Sequence, residues 1–107
     1  MMKKRNRPPK VENVIGRAKE CITMGLYRYT AHAEDRKFER MITEEDALYV
    51  IETGWRIPVR DEFVELYQSW TYAFEGKTLQ DELLRVIIGF DENMMLIITV
   101  INVSKAS

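Results

Sequence analysis

Residues 83–102, which read LLRVIIGFDENMMLIITVIN, are the part of the sequence that decides the fold. In the first half, apolar residues alternate with a second set that includes Arg85 and Gly89, and this alternation predicts a β-strand. The apolar set is Leu84, Val86, Ile88 and Phe90. Residues 91–93 predict a turn, and residues 94–103 are apolar on both faces, which is typical of a central strand. The stretch therefore predicts an antiparallel hairpin in the middle of a sheet.

Two further segments upstream of this hairpin have the period of a strand. Trp70, Tyr72 and Phe74 alternate with smaller or polar residues, which predicts a third strand with an aromatic face. Residues 55–60 predict a fourth, and Pro58 favours an edge position because proline has no N–H to donate. Residues 61–69 fit no single pattern, and residues 76–82 predict a loop.

The sequence before residue 55 has helical periodicity instead. Apolar residues recur every three or four positions from Val11 to Ile22, and Gly25 follows as a stop signal. Thr30 is predicted to cap a second helix over residues 31–41.

A third helix is predicted to begin after Thr43, which forms a variant capping box with Asp46, and to end at Gly54. Helices therefore come first and an antiparallel sheet follows, which predicts an α+β fold with the N-terminal helices packed on one face of the sheet. The third helix should cover the central hairpin, so six residues are expected in the core: Leu48, Ile51, Val86, Ile88, Ile98 and Val100.

The composition is that of one ordinary globular domain. The chain has 107 residues, of which 46% are hydrophobic and 31% charged. Its longest apolar run is about eleven residues, too short to span a membrane. Residues 1–10 do not resemble a secretory signal, and the single cysteine, Cys21, forms no internal disulfide, so we expect a cytoplasmic protein.

The charge is unevenly distributed along the chain. Residues 1–10 hold five of the 16 Lys and Arg residues and no acid, so the rest has a formal charge of −6. We predict a basic disordered arm over residues 1–10 and a single domain over residues 11–107. The arm either contacts nucleic acid or an acidic partner, or is a solvated leader held away from the domain by Pro8-Pro9.

The second predicted helix carries the strongest candidate site. His32, Arg36 and Arg40 recur at every fourth position and therefore share one side of the helix. Arginine binds phosphate bidentately and histidine titrates near neutrality, so this combination suits phosphodiester cleavage. The alternative is a solvated face on which nearby acids pair with the arginines.

Three residues of the predicted sheet could complete this site. Arg85 interrupts an apolar strand, Tyr72 lies in the aromatic strand, and Lys77 begins the loop after it. Each has a structural alternative: core packing for Tyr72, and for Arg85 a salt bridge to Asp61 or Glu62. A metal site is not predicted, because one His and one Cys, eleven residues apart, cannot build a four-ligand zinc site.

Two ordered sets of residues resemble a known family. The first is residues 29–36, YTAHAEDR, followed by ERMITEED at residues 39–46 and by Gly54. The second is YAFEGK at residues 72–77, LRV at residues 84–86 and LIITV at residues 96–100. Together they resemble the domain-of-unknown-function 4258 family over about residues 12–102.

The resemblance implies a fold similar to the RelE and barnase-like ribonuclease toxins, with a curved antiparallel sheet as in MqsR-type mRNA interferases. It also implies a partner, since such genes often neighbour a zinc-finger antitoxin of the YgiT or MqsA type. The leading hypothesis is the toxin of a type II toxin–antitoxin pair, a metal-independent endoribonuclease that acts on RNA, including ribosome-associated mRNA, without a cofactor.

In this hypothesis His32 is the general acid or base, and Arg36 and Arg85 hold the scissile phosphate. Arg40, Tyr72 and Lys77 position the substrate. The alternative hypothesis is a non-catalytic binding module, in which the same helix docks an acidic partner and a sheet edge pairs with another chain.

Overall fold

A computed structural model describes residues 7–40 and 42–105, with the backbone alone for residues 36–40 and 105. Within these residues the chain forms three α-helices and six strands, and 3-10 turns at Pro58–Arg60 and Val103–Lys105. The helices and strands are, in chain order, α1 Val14–Met24, β1 Tyr27–Tyr29, α2 Ala31–Arg40, α3 Glu44–Thr53, β2 Trp55–Arg56, β3 Glu62–Val64, β4 Ser69–Lys77, β5 Leu83–Asp91 and β6 Met94–Asn102. No helix in the described ranges is long and apolar enough to cross a membrane.

The predicted hairpin forms the centre of the sheet. The strand order is β1-β6-β5-β4-β2, and β3 pairs with the beginning of β4. All pairs are antiparallel except β1 with β6, which run parallel. Helices α1 and α3 contribute to one core on the same face of the sheet, and α2 packs against β6 and β1. The predicted α+β fold is confirmed.

The helix boundaries follow the capping signals of the sequence. Gly25 ends α1 in the left-handed conformation at φ 72°, and Thr43 and Asp46 form the capping box that starts α3. Thr30 caps α2, because its Oγ1 accepts a hydrogen bond from the Ala33 N–H at 3.2 Å. The predicted end of that helix at residue 41 lies outside the described residues.

Glycine is required at the end of α3 by a close approach to the sheet. A Cβ on Gly54 would lie 2.1 Å from the backbone oxygen of Glu75 in β4. The helix end can therefore pack directly on this strand only when residue 54 has no side chain.

The segments between residues 55 and 77 differ in detail from their predictions. β2 has the predicted edge position but only two residues, because Pro58 begins a 3-10 turn in place of continued strand. Residues 61–69, for which no structure was predicted, contain β3 and the turn into β4. β4 itself continues to Lys77, into the predicted loop.

The predicted core is confirmed at Ile51, Val86, Ile88 and Val100, which are all buried. Leu48 is half-buried at its margin.

The prediction for Ile98 is wrong, because the alternation along β6 is interrupted. Ile87 pairs with Thr99 but Ile88 pairs with Ile97, so Ile98 has no partner on β5. Such a β-bulge shifts the side chains beyond it by one position. Ile97 and Val100 consequently face the core, while Ile98 is only half-buried.

The described part of the N-terminal arm, residues 7–10, contacts the domain. The Trp70 indole N–H donates a hydrogen bond to the Pro8 carbonyl at 2.8 Å, and the Lys10 ammonium pairs with Asp61 at 2.9 Å. The Asp61 carboxylate is fully buried and also pairs with Arg56 at 2.6 Å. Pro8-Pro9 therefore lies along the domain instead of holding the chain away from it.

Candidate functional site

A groove of about 730 Å³ crosses the sheet face opposite α1 and α3, which we call the outer face. Its floor comes from the outer-face residues of β5 and β6, and its two walls come from the β1–α2 junction and the β3–β4 hairpin. The lining residues are Arg28, Thr30, His32, Val64, Tyr67, Ser69, Trp70, Thr71, Gly89, Phe90, Asp91, Leu96 and Ile98.

Two nitrogen-bearing side chains, Arg28 and His32, line the first wall. Tyr27 and Tyr29 pack against the core, so strand alternation turns the intervening Arg28 outward. His32 is exposed in the first turn of α2. Within the described part of the chain, neither side chain makes a hydrogen bond or an ion pair. Both are therefore available to an anionic ligand.

The position of Arg28 depends on how β1 is held. The Tyr29 hydroxyl donates a hydrogen bond to the Glu44 carbonyl at 3.0 Å, which ties β1 to the start of α3. Burial, reinforced by the nearby Glu44 carboxylate, raises the pKa of Tyr29, so the phenol remains a donor at neutral pH. The Thr30 N–H continues the link to β6 by donating to the Ile97 carbonyl at 3.0 Å.

The opposite side of the groove carries one aromatic ring, that of Tyr67, which lies in the turn of the β3–β4 hairpin and is 73% exposed. Trp70 and Phe90 also border the groove, but their half-buried rings pack against the core on the helix side of the sheet. The Tyr67 N–H donates to the Val64 carbonyl at 3.2 Å, which closes the turn. This wall was not predicted from the sequence, because residues 61–69 have no strand period.

The backbone of α2 agrees with the predicted spacing of His32, Arg36 and Arg40. The helix is continuous from Ala31 to Arg40, so Arg36 lies one turn beyond His32 and Arg40 one turn beyond Arg36. The side chains of Arg36 and Arg40 lie outside the described part of the structure.

Arg85 does not line the groove. It lies on the outer face, but four residues along β5 from Gly89, which corresponds to about 13 Å. Its Nε donates to Glu75 Oε2 at 2.7 Å, and the two side chains are only 18% and 13% exposed. These residues are direct partners across β4 and β5. The predicted ion-pair partners, Asp61 and Glu62, are therefore wrong, and Glu75 neutralises the Arg85 charge.

Tyr72 and Lys77 are also placed away from the groove. Tyr72 is 2% exposed in the core on the helix side of the sheet, where its hydroxyl accepts a hydrogen bond from the Val11 N–H at 2.9 Å. Lys77 is exposed at the end of β4 and pairs with Asp81 at 3.3 Å. Of the predicted site residues whose side chains are described, the structure brings only His32 into the groove.

Arg28 is the main residue that the sequence analysis missed. The available signal was the alternation Tyr27-Arg28-Tyr29 directly before the His32 motif, which places one cation on the face opposite two aromatic rings. A three-residue strand is short for such a pattern.

No group of three or more His, Cys, Asp and Glu side chains lies within metal-binding reach of one another among the described residues.

The fold and the groove define an α+β domain with an arginine–histidine wall on the outer face of an open sheet. Residues 29–102 match the model of a family described as "Domain of unknown function (DUF4258)". The chain belongs to this family, as the resemblance in its sequence implied. No curated protein and no solved structure matches the chain.

Proposed function

We propose that this protein is a metal-independent endoribonuclease, the toxin of a toxin–antitoxin pair, and that the groove is its active site. The observation that supports this proposal is the presence of Arg28 and His32, without partners among the described residues, in one groove. An arginine neutralises a phosphodiester and a histidine exchanges a proton near neutral pH.

The reaction would use the substrate's own 2′-hydroxyl as nucleophile. His32 accepts the proton of this hydroxyl as the 2′-oxygen attacks the adjacent phosphorus. The P–O5′ bond breaks, the 5′-oxygen takes a proton from solvent, and the products are a 2′,3′-cyclic phosphate and a 5′-hydroxyl. Arg28 stabilises the negative charge that develops on the phosphorane oxygens.

Arg28 takes the role that the sequence hypothesis gave to Arg85. The Glu75 carboxylate at 2.7 Å already satisfies the Arg85 guanidinium, so binding phosphate there would require breaking a half-buried ion pair. Arg36 remains a proposed second phosphate ligand, because it lies one turn beyond His32 on α2. Arg40, one turn further, remains a proposed substrate ligand.

The cellular setting of the proposal comes from the family resemblance. The substrate would be RNA, including ribosome-associated mRNA, in the cytoplasm. The inhibitory partner would be a cognate antitoxin of the zinc-finger type.

A second candidate function is a non-catalytic protein-binding module. One observation favours it: the tip of the β3–β4 hairpin exposes two large apolar residues, Leu66 at 81% and Tyr67 at 73%. Adjacent exposed apolar residues of this kind are typical of protein contact surfaces.

Cleavage of end-labelled RNA by purified protein in the presence of EDTA distinguishes the two candidates. We expect wild-type cleavage, a loss of about 10²–10⁴-fold for His32→Ala, and a strong loss for Arg28→Ala. Arg60→Ala is the matched control, because Arg60 is exposed in the Pro58–Arg60 turn and does not line the groove. Cleavage that stops in EDTA contradicts the metal-independent mechanism.

The toxin role has a separate test. Induced expression should arrest growth within one doubling, and His32→Ala should relieve the arrest. Absence of both arrest and RNA cleavage would leave the binding module as the better explanation.

A further inference from the structure

We propose that the groove binds an unpaired nucleobase that stacks on Tyr67, which makes single-stranded RNA the substrate class. This inference rests on the proposed function, because that function identifies the ligand as RNA. It adds a binding site for the base, on the wall opposite the residues proposed to hold the phosphate.

The floor of the groove is suited to a flat, uncharged group. Gly89 of β5 and Leu96 and Ile98 of β6 supply it. A Cβ on Gly89 would lie 3.2 Å from Ile98 Cδ1 and 3.7 Å from the Trp70 carbonyl oxygen. The missing side chain therefore keeps the floor low between Trp70 and Ile98, and the apolar atoms beneath it favour a ring system over a phosphate.

The hairpin wall offers an aromatic face for stacking. Tyr67 is 73% exposed although it lines the groove, so most of its ring remains open to a ligand. Its backbone is held in a hydrogen-bonded turn, since the Gln68 side-chain amide also donates to the Glu65 carbonyl at 2.8 Å. An aromatic ring on a fixed turn can stack on a base, a contact worth about 1–3 kcal/mol.

The strand order fixes the direction in which RNA would cross the groove. β1 and α2 lie beyond β6, and the β3–β4 hairpin lies beyond β5. A nucleotide whose phosphate contacts Arg28 and His32 would therefore extend its base across the β6–β5 floor toward Tyr67. A base in a duplex is paired and stacked and cannot adopt this position, so recognition requires an unpaired nucleotide.

The inference is tested by binding a fluorescein-labelled 2′-O-methyl RNA oligonucleotide, whose blocked 2′-oxygen prevents cleavage. We expect the single strand to bind at least tenfold more tightly than the same strand in a duplex. Tyr67→Ala should weaken binding by about 5–150-fold, and Tyr67→Phe should restore it to nearly the wild-type value. Leu66→Ala is the control, because Leu66 is the adjacent exposed residue and does not line the groove.

Equal binding of single strand and duplex, unchanged affinity of Tyr67→Ala, or no binding of either oligonucleotide would overturn the inference. If Tyr67-dependent binding occurs but unmodified RNA stays intact, the base site is supported and the nuclease proposal fails.

Discussion

The β-bulge in β6 can be tested by truncating two neighbouring isoleucines. Ile97 is 0% exposed and belongs to the core. Ile97→Ala removes three carbon atoms, about 2.4 kcal/mol of transfer free energy at ~0.8 kcal/mol per buried CH₂ group. The cavity that remains raises the expected loss of unfolding free energy into the range of about 2–5 kcal/mol. Ile98 is half-buried and faces the open groove, so Ile98→Ala leaves no closed cavity and should cost about 1 kcal/mol.

Urea denaturation followed by circular dichroism measures both losses. The m-value should remain at its wild-type value in both variants, while the midpoint of Ile97→Ala falls on the order of 2 M further than that of Ile98→Ala. An equal loss in the two variants, or a larger loss for Ile98→Ala, would mean that alternation continues unbroken along β6. The assigned register of β6 would then be incorrect.

Three further predictions concern stability. Asp61→Asn should destabilise the domain at neutral pH by about 3 kcal/mol because Arg56 loses its buried partner. Burial raises the pKa of Asp61, but hydrogen bonds from Arg56, Lys10 and the Ala73 N–H outweigh it and hold this pKa below the ordinary value of an aspartate. The stabilisation is therefore present above that ordinary pKa and is lost as the pH falls through the lowered value, so the acid titration of stability should be shallower in Asp61→Asn than in wild type. Thr43→Ala should cost about 1 kcal/mol by removing the cap of α3, and thermal melts should show no loss of stability for the control Glu52→Ala, which removes an exposed acid from the last turn of the same helix. Deletion of residues 1–10 should lower the melting temperature, because the Lys10–Asp61 and Pro8–Trp70 contacts are lost; an unchanged melting temperature would contradict their contribution.

Local signals in the sequence predicted most of the fold. The capping box at Thr43 and Asp46, the stop at Gly25 and the turn before β6 depend on interactions over a few residues, and the structure contains all three. Such features are legible in sequence because the interacting groups are close along the chain.

The features that were missed depend on long-range pairing. The parallel alignment of β1 with β6 joins residues separated by almost 70 positions, including Tyr27 with Met95. The bulge at Ile98 is also invisible in sequence, because an uninterrupted apolar run from residue 94 does not indicate which of two neighbouring isoleucines faces the core.

The charges of the candidate site show the same dependence on strand register. An arginine within an apolar strand was a reasonable phosphate ligand, but its environment depends on which residue of β4 lies opposite, and this residue is Glu75. Shifting the pairing by one position would turn the Glu75 side chain to the other face and leave Arg85 without this partner. With the register known, Glu75 neutralises Arg85, and Arg28 and His32 are the basic side chains among the described residues that line the groove. A phosphate-binding arginine is therefore better identified by the absence of a carboxylate on the strand opposite it. Among the arginines that line the groove or lie on the same sheet face in the described structure, Arg28 meets this criterion.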